Sequence, residues 1–76
     1  MAMSPRNIMN RLGATLKDGT ATEKQIRRAF YNAGYGKGKT DKWIALYKDA
    51  DIIQVAGKNE DCEVTYSCVW WARVAI

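Results

Sequence analysis

Residues 22–55 hold two helix signals separated by a glycine–lysine turn, and the rest of the chain has to be arranged around them. Thr22-Glu23-Lys24-Gln25 fits a capping box, in which the Thr and Gln side chains satisfy free backbone N–H groups at a helix start. Ile26, Ala29, Phe30 and Ala33 follow at helical spacing, and Gly34 is placed to end the helix in a left-handed residue. Tyr35-Gly36-Lys37-Gly38-Lys39 then reads as a turn. A second helix is expected with Thr40 as its N-cap and Asp41 near its positive end, running to about Ala50. Trp43, Ile44, Tyr47 and Ala50 give its inward stripe. Lys39, Asp41, Lys42, Ala45 and Lys48 fall on other faces, and Leu46 lies between them.

The flanks supply support. An earlier helix is expected over residues 5–17, with Ser4 as N-cap, Pro5 in its first position and a stripe of Ile8, Met9, Leu12 and Leu16. Gly13 weakens it by about 1 kcal/mol relative to Ala, and Asp18-Gly19 ends it. After Asp51 the period changes from helical to extended. Residues 52–56 form a first strand, residues 58–61 a polar turn, and alternation then runs from Cys62 to Ile76. Val69-Trp70-Trp71 is apolar on both faces, which fits either an ordinary core strand end or a surface covered by a second subunit. The expectation is one α+β domain over all 76 residues: three helices, then an antiparallel β-hairpin. Ile26, Phe30, Ile44 and Tyr47 should meet in its core.

Composition removes several classes of function. The chain has no histidine, hence neither the commonest general base nor the commonest metal ligand. With no paired acids in an evident pocket, an enzyme is not expected, nor is a metal or cofactor. The turn lacks the GxxxxGK[ST] spacing of a nucleotide-binding loop. Cys62 and Cys68, six apart in one strand, would lie roughly 20 Å from each other, too far for a disulfide. They read as two small buried hydrophobes, with an intermolecular disulfide or redox role as the alternative. No apolar run is long enough to span a bilayer and no signal region opens the chain, so a cytoplasmic location is the default expectation.

Charge is distributed unevenly. Residues 1–48 carry ten Lys/Arg against three acids, whereas residues 49–76 carry two against five. A basic helical part joined to an acidic β part suggests a polyanion for one face.

The capped stretches TEKQIRRAF and TDKWIALY, with the join DADIIQVAG, resemble a winged helix-turn-helix domain over roughly residues 5–70. A single unit of this size is similar to the compact transcription regulators of phages, plasmids and archaeal viruses. The resemblance implies that the second helix of the pair, over residues 39–48, lies in the major groove of double-stranded DNA and that the hairpin wing touches an adjacent groove or backbone. Two departures stand beside it. The turn over residues 34–39 is longer than the usual three or four residues. The wing tip carries Glu60, Asp61 and Glu63, so only Lys58 is a candidate for wing contact.

Under that reading Arg27, Arg28, Lys37 and Lys48 neutralise phosphates. Lys39, Thr40 and Lys42 read bases, and Asp41 accepts from cytosine N4. Trp43 either packs inside or touches a base or sugar. Useful specificity from so small a unit calls for a homodimer on two half-sites, with the Trp70–Trp71 region as its surface. RNA would suit the same basic face. The competing expectation is a mobile-element protein that binds and inhibits a host protein, its acidic wing forming part of the interface.

Overall fold

The computed structural model describes residues 3–69 and Trp71. Helix α1 (Pro5–Thr15) is followed by a short strand β1 (Thr20–Thr22), then helices α2 (Glu23–Asn32) and α3 (Lys37–Asp49). Strands β2 (Ile53–Lys58) and β3 (Val64–Cys68) complete the chain. The fold is thus α+β, three helices against a three-stranded antiparallel sheet in the order β1-β3-β2.

Each helix boundary has a local cause. Ser4 Oγ accepts from Asn7 N–H and Pro5 occupies the first turn of α1. α1 stops at Thr15, two residues before its expected end, with Leu16 already extended. The Asp18 carboxylate then accepts from both the N–H and the hydroxyl of Thr20, at 3.1 and 2.9 Å. That turn delivers the chain into β1, whose Ala21 lies opposite Tyr66. At the start of α2 the capping box forms as expected: Gln25 N–H donates to Thr22 Oγ1, and Thr22 N–H to Gln25 Oε1.

Helices α2 and α3 end in the same cap. In α2, Tyr35 N–H donates to Phe30 O and Gly34 N–H to Tyr31 O, with Gly34 at φ +96°. The Tyr35 ring meets Phe30 edge-on at 5.4 Å, the apolar contact that accompanies this motif. In α3, Ile52 N–H donates to Tyr47 O and Asp51 N–H to Lys48 O, with Asp51 taking the left-handed position.

The start of α3 corrects the sequence reading. The helix begins at Lys37 behind an N-cap at Gly36, so Gly38 and Lys39 are helical and the join from α2 is only the four residues 33–36. The expected excess length of this turn disappears. Thr40 is not the cap but a fully buried residue of the first turns, and Asp41 lies beyond the first turn.

The core unites Ile26, Phe30, Ile44 and Tyr47, as their spacing predicted, with Ile8, Met9, Ala21, Ile53, Cys68 and Trp71. Burial pushes the Tyr47 hydroxyl up to about 12, with Cys68 and Tyr35 adding to the effect. Leu46 is half exposed and Trp43 only partly buried. Thr40 Oγ1 has no hydrogen-bond partner among the described residues. Replacing it with the isosteric valine removes a buried, unsatisfied hydroxyl. Thr40→Val is therefore expected to stabilise the protein by about 1 kcal/mol, read as a higher urea midpoint at unchanged m-value.

The hairpin differs from expectation at three places. A bulge interrupts the register between Val55 and Gly57, so alternation does not run through β2. Cys62 is exposed in the turn at φ +62° rather than buried in a strand; Cys68 alone is the buried thiol. β3 ends at Cys68, and Trp71 turns inward, fully enclosed against α1. Trp71 is therefore not free to form a dimer surface, while Trp70 and the strand expected beyond it lie outside the described residues.

Candidate nucleic-acid interface

The cations of α2, α3 and β2 separate into two sets. Arg27 donates from Nε to Glu23 at 3.2 Å and from its guanidinium to Asp41. Lys48 Nζ reaches the other oxygen of Glu23 at 3.0 Å and lies 5.2 Å from the centre of the Tyr66 ring. The Arg27–Asp41 and Lys48–Glu23 pairs tie α2 to α3. Hydrogen bonding by Asp41, then Tyr31 and Glu23, raises the Arg27 pKa. The Lys48 hydrogen bond, assisted by Arg27, holds the Glu23 carboxyl below its usual range. Arg27, Asp41 and Lys48 are thus committed to one another's neighbourhood, which sequence spacing alone did not reveal.

The second set is unpaired. Among the described residues no carboxylate lies within ion-pair distance of Lys24, Arg28, Lys37, Lys39, Lys42 or Lys58. Lys37, Lys39 and Lys42 are exposed on the first two turns of α3. The helix start there has no capping side chain and no acidic residue in its first turn. Positive side chains sit at the positive end of the helix, an arrangement that an isolated helix disfavours.

Beside this start lies an open cleft of about 360 Å³ lined by Gly34, Tyr35, Lys39, Lys42 and Trp43. The outward face of α3 continues through Gly38, Ala45, Leu46 and Asp49, all exposed. Ala45 and Leu46 were not expected to take part. Their exposure follows from the spacing of the buried Thr40, Ile44 and Tyr47, which turns Ala45 and Leu46 away from the core. Thr40, an expected base contact, is enclosed in the core and cannot reach a ligand at the surface.

The hairpin tip is a hydrogen-bonded acidic turn. Asn59 Oδ1 accepts from the N–H groups of Asp61 and Glu63, and Asn59 O accepts from Cys62 N–H. Glu60, Asp61 and Glu63 are exposed there, and Lys58 closes β2 opposite Val64. Among the described residues no helix is long and apolar enough to cross a membrane and no group of three or more His, Cys, Asp or Glu could hold a metal. Comparison with family models, curated proteins and solved structures returned no match to this chain.

Proposed function

We propose that this chain is a winged helix-turn-helix domain that binds double-stranded DNA, with α3 in the major groove, and acts as a transcription regulator of a mobile element. The observation that carries the reading is the start of α3: three exposed lysines without acidic partners, at an uncapped helix end, beside a cationic cleft. Such an end is costly in isolation, and a phosphate offsets the cost by accepting from the free N–H groups and the ammonium ions. The fold supports it. The order α1-β1-α2-α3-β2-β3, with β1 joining the sheet, and a four-residue join between α2 and α3 suit a helix-turn-helix followed by a wing.

In this reading Arg28, Lys37, Lys39 and Lys42 face DNA, and Ala45 and Leu46 offer apolar contact to thymine methyl groups. Arg27 and Lys48 hold the helix pair together instead of touching phosphate. The carboxylates at the hairpin tip keep the wing away from the backbone, leaving Lys58 as its one contact.

Titration against duplex DNA, duplex RNA and single strands at two salt concentrations tests the proposal. Duplex DNA is expected to bind tightest, with affinity falling steeply as salt rises. A protein without salt-dependent affinity for any duplex would refute it. The acidic hairpin would then direct the search to a host protein partner.

A further inference from the structure

Resting on the DNA reading, we propose that the cleft between the α2–α3 join and α3 is the anchor for one backbone phosphate and its deoxyribose, with Trp43 Nε1, Lys39 and Lys42 as its donors. Five residues line the cleft: Gly34, Tyr35, Lys39, Lys42 and Trp43. The hydroxyl of Tyr35 is already used, donating to Met3 O at 2.9 Å, and its ring is fixed edge-on against Phe30. Trp43 leans on Tyr47 with ring centres 5.9 Å apart, and its indole N–H has no acceptor among the described residues. Lys39 and Lys42 have no acidic partner there either.

Apart from the Tyr35 hydroxyl oxygen, which can still accept, the side-chain polar groups of the lining residues are donors: the Lys39 and Lys42 ammonium ions and the Trp43 indole N–H. Two carry a full positive charge, and the remaining walls are aromatic. A cationic ligand is repelled by the two ammonium ions, and a neutral one leaves them without a counter-charge. An anion with a compact apolar body satisfies the donors and covers the rings, and the sugar–phosphate unit of DNA is such a body. Gly34 leaves the rim open, with nothing within 4 Å of where a Cβ would stand. This assigns Lys42 to the backbone, whereas its place in the sequence had suggested base reading.

The test follows the ¹⁵N-labelled indole N–H signals while a short mixed-sequence DNA duplex is added, with inorganic phosphate as a parallel arm. The Trp43 signal is expected to shift and saturate with duplex. The Trp71 signal stays, because its N–H is held by Met9 O at 2.6 Å. Trp43→Phe, which keeps an aromatic ring and loses the donor, should weaken duplex binding about tenfold. Lys42→Ala should weaken all sequences alike and flatten the slope of log K against log salt by about one unit. Duplex binding that moves backbone signals of α3 but leaves the Trp43 indole still overturns the assignment. So does a Lys42→Ala variant that loses preference at one base position only. An equal response to inorganic phosphate at the same concentration makes this a free-anion site and overturns the backbone assignment. If no signal moves with any duplex, the DNA reading itself fails.

Discussion

Trp71→Ala is expected to cost about 3–5 kcal/mol, a large part of the stability of a domain this small. The indole is enclosed by the core and donates to Met9 O, so truncation leaves both a cavity and a carbonyl without its donor. The same contact explains Gly13. A Cβ at this position would lie 2.0 Å from Trp71 Cδ1, far inside contact distance. Helix propensity alone makes Gly13→Ala stabilising by about 1 kcal/mol. Packing reverses the sign: the variant is expected to lose about 1–3 kcal/mol as the indole is displaced. The double variant should lose less than the sum of the two, because the new methyl occupies space that the indole has vacated. Urea unfolding of the four proteins checks this. A Gly13→Ala protein more stable than the parent would show that Trp71 does not occupy the groove on α1.

The Gly13 case shows where sequence reading stops. Helix boundaries set by local chemistry were legible: Ser4-Pro5, the box at Thr22–Gln25 and the glycine stop at Gly34 all act within a few residues. Strand β1 was not, because three residues carry no usable alternation and Thr20–Thr22 becomes a strand only by pairing with β3. The start of α3 was misplaced because Gly36-Lys37-Gly38-Lys39 has the composition of a loop. Its helical state is carried by the core packing of Thr40, Ile44 and Tyr47 further along. The candidate site suffered from the same limit. Which lysines and arginines are free depends on pairs 14 and 25 residues apart, Arg27 with Asp41 and Lys48 with Glu23.

That division of the cations leads to the largest binding effect. Under the proposed DNA reading four phosphates are neutralised, one each by Arg28, Lys37 and Lys58 and one shared by Lys39 and Lys42, and the slope of log K against log salt should be roughly −3.5. Raising salt from 50 to 200 mM should then weaken duplex binding on the order of a hundredfold. The adjacent arginines should behave differently. Arg28→Ala is expected to flatten the slope by about one unit. Arg27→Ala should leave it nearly unchanged and cost under about 1 kcal/mol of stability, since its ion pairs are largely at the surface. Glu23→Gln is the complementary change. It releases Lys48 and weakens the hold on Arg27, so the slope should steepen by about one unit and duplex binding should tighten at low salt. Acid has the same effect by protonation. The folded-state pKa of Glu23 is lowered from its ordinary 4.5. The stabilising contribution of its ion pairs is therefore complete above that value and is lost as pH falls through the lower folded-state one. Between pH 5 and 8 this carboxylate stays charged, and the slope should not change on its account. Fluorescence anisotropy with a labelled duplex across a salt series measures all of these. Equal flattening by Arg27→Ala and Arg28→Ala would mean that DNA draws Arg27 out of its pairs with Glu23 and Asp41, and the division drawn between the two sets of cations would not hold in the complex.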